Sequence, residues 1–229
     1  MKLLNQLSVP QASRTAVLQL LQGDLSELPP EQASDILVMS AFPNDYTALK
    51  GSLIYQLNEK GLSVGALALD KAVDLRRQLN CWLSKPLSPA DQQKFNVKQI
   101  LCFEPGDKIK EPEEVVGDIF RCINTFAFND DHNVITMPII ATGYQRVPME
   151  KILPALLDAA YFWLKNGLPL HVSNWLYTAM NRQQRRFLYL KHLQIKFKQL
   201  LKRRRKLYLP GSRVCHSLRQ WWMNRYLLM

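Results

Sequence analysis

Two segments about a hundred residues apart hold the groups best suited to chemistry in this 229-residue chain. The first is Gly23-Asp24-Leu25-Ser26, followed after a polar stretch by Asp35-Ile36-Leu37-Val38-Met39-Ser40-Ala41. A strand that ends in Gly-Asp leaves a carboxylate at the sheet edge, where it accepts hydrogen bonds from an amino group such as the exocyclic amine of adenine. The same Asp24 also fits a plain turn, satisfied by its own backbone. The second segment is Pro138-Ile139-Ile140-Ala141-Thr142-Gly143-Tyr144-Gln145-Arg146-Val147-Pro148. Successive backbone N–H groups, a glycine that permits close approach and a helix N-terminus make an anion site. Ala141, Thr142, Gly143, Tyr144 and Gln145 are therefore candidates to wrap a diphosphate. Tyr144 can also shield a sugar, and Arg146 either points outward or adds a charge-assisted contact to phosphate.

Other constellations are weaker. His132, His171, His192 and His216 are never paired at metal-ligand spacing, so no metal is expected. The four cysteines form no Cys-x-x-Cys pair, and Cys81, Cys102 and Cys122 lie in apolar runs where thiols act as small hydrophobes. A reduced, cytoplasmic setting without zinc or disulfides is the expectation. No Gly-x-Ser-x-Gly elbow or Walker A run occurs. Glu113-Glu114 reads as a helix start. Asp70, Lys71, Asp74, Arg76 and Arg77 either border the site or form a solvated helix end.

The elements that must position these groups alternate between strand and helix. Val17–Leu21 predicts a strand feeding Gly23-Asp24, and Leu28-Pro29-Pro30-Glu31 a turn. Ile36–Met39 is continuous and apolar, as a buried strand is, and Phe42-Pro43-Asn44-Asp45 breaks it. Leu49, Leu53, Ile54 and Leu57 follow helical spacing up to Lys60-Gly61. A second short helix is expected over Ser63–Ala72, capped by Ser63. Leu79–Leu83 is an ambiguous strand and Ser84–Ala90 a loop. Val97–Phe103 predicts a strand, Glu111-Pro112-Glu113-Glu114 opens a helix through Phe126, Val134–Ile140 is a strand, and a long helix runs from Pro148 or Met149 to about Leu164. Such alternation implies a mixed or parallel sheet with helices on both faces.

In this order, the Gly-Asp-Leu segment and the Thr-Gly loop resemble the macro domain, over roughly Ala16 to Leu164. The resemblance implies an α/β fold, a three-layer α/β/α macro-like mixed sheet, and ADP-ribose or a related NAD-derived nucleotide as ligand rather than cofactor. It implies adenine at Asp24 and the Leu25 amide, diphosphate at Thr142 to Arg146, and the distal ribose near Ser40 to Asp45. The Asn-Ala-Ala-Asn stretch of hydrolytic members is replaced by Met39-Ser40-Ala41-Phe42, and no triple glycine follows. Binding without turnover, as a sensor or accessory module, is the implied function. The alternative is an ADP-ribosyl hydrolase in which Asn44 or Asp45 replaces the missing asparagines.

Charge divides the chain again. All 19 acids lie in residues 1–158, where 15 basic residues leave a net of −4, while residues 159–229 carry 15 basic residues and no acid. The expected organisation is a macro-like domain over residues 1–168 and a C-terminal basic helical extension over residues 169–229. Leu190, Leu193, Phe197, Leu200 and Leu201 form its apolar stripe, and Lys202, Arg203, Arg204, Arg205 and Lys206 a polyanion-binding cluster. Its partner can be nucleic acid, an anionic membrane surface reached with Trp221 and Trp222, or an acidic protein. No apolar run is long enough to span a membrane, and Met1–Pro10 predicts no secretory signal.

Overall fold

Uninterrupted apolar runs at residues 36–39 and 100–103 form the centre of a mixed sheet, because a strand buried on both faces needs no alternation. The computed structural model describes residues 1–12, 14–104, 112–127, 134–139, 149–170 and 172–177. In chain order these give β1 (Lys2–Pro10), β2 (Thr15–Gln22), β3 (Ser34–Ser40), α1 (Leu53–Glu59), α2 (Val64–Leu67), β4 (Lys71–Leu75) and α3 (Arg76–Leu79). Then follow β5 (Cys81–Ser84), α4 (Pro89–Phe95), β6 (Val97–Phe103), α5 (Pro112–Ala127), β7 (Val134–Pro138), α6 (Met149–Lys165) and β8 (Val172–Tyr177). The strand order is β1-β2-β8-β7-β3-β6-β5-β4. The five strands from β2 to β6 in that order are mutually parallel, and β1, β5 and β4 are antiparallel additions at the two sides.

Strand alternation sorts the core into two layers. Leu37 and Met39 of β3, Trp82 of β5 and Ile100 and Cys102 of β6 pack with Ile54 and Leu57 of α1 and Phe95 of α4. The alternate residues Ile36, Val38, Leu101 and Phe103 are equally buried and face the opposite layer, that of α5 and α6. The three-layer α/β/α arrangement with a mixed sheet is thus present, and no helix among the described residues is long and apolar enough to cross a membrane.

Local signals fix the ends of α1. The Ser52 hydroxyl accepts from the Tyr55 amide at 3.0 Å. Beyond Lys60, Gly61 takes a φ of 90°, and the Leu62 and Gly61 amides donate to the carbonyls of Leu57 and Asn58. That closes the helix in a left-handed turn that only glycine adopts at no cost.

Several expectations need correction. The helix expected over Ser63–Ala72 is only Val64–Leu67, capped by Ser63; the chain turns past Leu69, 90% exposed, into β4. Pairing with β5 outweighs helix propensity there. Ser84–Ala90 is not all loop: Ser88 caps α4, its hydroxyl accepting from the Asp91 amide at 3.1 Å, with Pro89 in the first turn. Residues 2–10, read only for the lack of a signal sequence, form β1. The sheet also continues past the boundary expected at residue 168. Val172–Tyr177 is a strand between β2 and β7, not the start of a helical extension. The rest of that extension, including Lys202 to Lys206, lies outside the described residues, as do Ala141 to Arg146.

Candidate functional site

The order of connections marks one place on the sheet. From β3 the chain moves to one side and ends that excursion in β6; from β6 it returns through α5, passes β3, and adds β7 and β8 on the other side. The topological switch point therefore lies between β3 and β7, and ligands of open α/β sheets sit beyond the strand ends at such a point. Register sharpens this. β3 pairs with β6 from Ser34↔Val97 to Ser40↔Phe103, but with β7 only at Ile36↔Ile135 and Leu37↔Thr136. At the lower end the two strands are tied by side chains: the Val134 amide donates to Asp35 Oδ2 at 2.8 Å and Ser34 Oγ donates to the Val134 carbonyl at 3.3 Å. Toward the upper end the ladder stops, and Pro138 has no N–H to extend it. Beyond Leu37 and Thr136 the two strands share no further ladder and part, β3 running on to Ser40 and β7 to Pro138.

Asp24 stands on the same edge of the sheet, just past the end of β2. Two strands, β8 and β7, separate β2 from β3, which puts about 14 Å between the two strand ends. Asp24 Oδ1 accepts from the Ser26 amide at 2.9 Å and from Ser26 Oγ at 2.7 Å, so the turn reading of this residue is correct for that oxygen. Its Oδ2 lies 3.7 Å from Lys60 Nζ, and the side chain stays 41% exposed. Lys60 spends its protons elsewhere, on Ser26 Oγ at 2.7 Å and Glu27 Oε1 at 2.7 Å, which leaves Oδ2 able to accept from a ligand. Leu25 is buried in the core beneath, and its amide has no hydrogen-bond partner among the described residues. Ser40, at the end of β3, is exposed.

Asn44 and Asp45 each take part in the turn that follows Ala41. Asn44 occupies the left-handed region at φ 56° in a tight turn closed by the Asp45 amide on the Phe42 carbonyl at 3.0 Å. Its side-chain oxygen accepts from Arg76 Nη1. Asp45 is exposed and accepts from the Thr47 amide at 2.9 Å; hydrogen bonds from Thr47 hold its carboxyl below the ordinary value.

Sequence reasoning missed the group that holds this turn. Glu104, the residue after β6, is 4% exposed. Its Oε1 accepts from the Tyr46 hydroxyl at 2.5 Å and from Trp82 Nε1 at 2.6 Å, and its Oε2 accepts from the Asn44 amide at 3.0 Å. Burial, with Glu104 beside it, pushes the Tyr46 phenol well above its usual range. The only signal in the sequence was an acid closing an apolar strand, which reads as a strand terminator. Of the charged cluster at residues 70–77, Arg76 reaches the turn and is locked to Asp74 by Nη2–Oδ2 at 2.6 Å and Nε–Oδ1 at 2.9 Å.

Hydrogen bonds from Arg76 hold the Asp74 carboxyl down to about 2. A folded value below the unfolded one of about 3.9 contributes stability that is present above that unfolded value and lost as pH falls through the folded one. The pair is partly exposed, so the effect is small. In thermal melts, a gap between wild type and Asp74→Asn is expected at neutral pH, narrowing as pH falls below about 4 and closing near the folded value of about 2. Among the described residues, burial pushes the Cys102 thiol upward, and a hydrogen bond with Cys81 together with burial pushes Cys122 upward, so neither of these two supplies a thiolate.

No protein-family model matches the chain, and no curated protein matches it in sequence. Solved structures do match in fold. A variant of the Oceanobacillus iheyensis macrodomain superposes with a TM-score of 0.60 at 13% identity, over 89% of this chain and 96% of that one. The same macrodomain with ADP gives 0.54 at 14% identity, over 87% and 98%. A further variant with ADPR gives 0.57 at 13%, over 84% and 98%.

Proposed function

We propose that this chain, a divergent protein of macrodomain fold, binds ADP-ribose or a related NAD-derived nucleotide, without turning it over, as a sensor or accessory module. The observation that carries the reading is the parting of β3 from β7 at the switch point, with the Asp24 carboxylate on the same edge. In this reading Asp24 Oδ2 accepts from the adenine amine, the Leu25 amide donates to the same ring, and the backbone of Ala141 to Gln145, with Arg146, takes the diphosphate. The distal ribose lies toward Ser40 and the turn after it. Absence of the hydrolytic asparagines from residues 39–42 argues for binding over hydrolysis. The solved macrodomains with ADP and with ADPR support the ligand class.

Calorimetric titration with ADP-ribose tests it. Asp24→Asn keeps the Oδ1 acceptor needed by Ser26 but turns the free oxygen into a donor, opposed to the adenine amine. Saturable binding to wild type, weakened about tenfold in Asp24→Asn, is expected. Equal affinity in the two proteins would remove Asp24 from the site. Residues 181–229 carry 14 basic side chains and no acid, a charge balance suited to a nucleic acid, an anionic membrane or an acidic protein as partner, through Lys202 to Lys206.

A further inference from the structure

We infer that Glu104 is a positioning residue that sets the β3 lip of the crevice and so selects for a ligand's distal ribose; the inference rests on the nucleotide reading above. The Phe42–Asp45 turn follows directly from Ser40-Ala41, beyond the end of β3 on the switch-point edge of the sheet. The turn is held by Arg76, whose Nη1 donates to the Asn44 side-chain oxygen, and from the neighbouring strand, where the Ala41 amide donates to the Phe103 carbonyl at 3.0 Å and Glu104 reaches over the turn.

One carboxylate there serves three donors from three parts of the chain: the Asn44 amide in the turn, the Tyr46 hydroxyl just past it, and the Trp82 indole in β5. The Glu104 amide is itself fixed on the Asn80 carbonyl at 2.6 Å. Tyr46 and Trp82 meet edge to face with ring centroids 5.8 Å apart, so the carboxylate sits on a rigid aromatic support. Through the Asn44 amide it holds the single left-handed residue that gives the turn its shape. The base end of the ligand lies two strands further on, beyond its reach.

Glu104→Gln preserves size and burial, but its two ends are no longer alike. The carboxamide oxygen can serve Tyr46 and Trp82, which leaves the NH2 group facing the Asn44 N–H, donor against donor. Tyr46→Phe removes one hydroxyl and keeps the ring. ADP-ribose and ADP, which lacks the distal ribose, are titrated in parallel into the full chain and both variants. The expected result is a Kd for ADP-ribose raised about tenfold in Glu104→Gln, with that for ADP within about twofold of wild type. Tyr46→Phe is expected to show a smaller change of the same selectivity, and decides the matter alone if Glu104→Gln does not fold. The Trp82 indole N–H resonance is a second readout: it is expected to shift in Glu104→Gln and, in wild type, on adding ADP-ribose but not ADP. An unchanged ratio of the two affinities in both variants, or equal losses for both nucleotides, overturns the inference and leaves the binding reading intact. A wild-type chain that saturates with neither nucleotide overturns both.

Discussion

Trp82→Ala is expected to lower the free energy of unfolding by about 3–5 kcal/mol, measured as a drop in the urea midpoint at unchanged slope. Trp82 is fully buried, on a strand paired with Cys102 and Leu101 of β6 through its own register and that of Leu83. Its ring packs in the layer between the sheet and α1, α2 and α4, touches Tyr46 edge to face, and has Lys71 Nζ 5.6 Å from its centroid. Truncation leaves a cavity that strands on both sides prevent from collapsing, and takes one of three donors from the buried Glu104 carboxylate. Trp82→Phe separates these causes. It keeps most of the ring but not the indole N–H, so a loss of only about 1–3 kcal/mol is expected. A Trp82→Ala protein within about 1 kcal/mol of wild type would mean that this layer is not packed as described.

Gly143→Glu is expected to abolish ADP-ribose binding, a loss of at least about a hundredfold, with the melting temperature unchanged. Gly143 lies outside the described residues, but the elements that bracket it do not: β7 ends at Pro138 on the switch-point edge, and α6 begins at Met149. In the proposed reading, amide hydrogens between that strand end and that helix start meet the diphosphate, and glycine lets the ligand approach closely. Glutamate adds both bulk and a negative charge where a diphosphate is expected, and like charges in a partly dry site repel strongly. Gly143→Ala is the control for bulk alone. Full affinity in Gly143→Glu would show that the diphosphate is not held by this loop.

How legible all this was in the sequence varied with the range of the forces involved. β3 and β6 were readable because a strand buried on both faces writes its environment into a continuous apolar run, and α5 and α6 because sixteen and seventeen residues hold enough helical repeats to show their period. β1, β4 and β8 were not. β4 is five residues of mixed polarity made into a strand by its partner β5, and β8 belongs to the sheet only through neighbours more than thirty residues away in sequence. The cap of α4 was legible in Ser88-Pro89-Ala90-Asp91 and passed over for the prolines around it. At the site, Asp24 and Ser40 could be placed because each ends a strand. Glu104 could not, since its partners lie 22, 58 and 60 residues away and no local pattern announces such a meeting.

The place of β8 in the middle of the sheet has a consequence for how the chain is made. The hairpin of β1 and β2 is synthesised before the rest of the sheet, yet among the described residues its link to the remaining strands is β8, whose last residue is Tyr177. At translation rates of about 5–20 residues per second, that hairpin waits roughly 10–30 s before its docking strand exists. During the wait the β2 edge that β8 will pair with, from Val17 to Gln22, has no strand beside it. An early-made hairpin is thus docked late, and a newly synthesised chain is most open to chaperones and to mispairing along that edge.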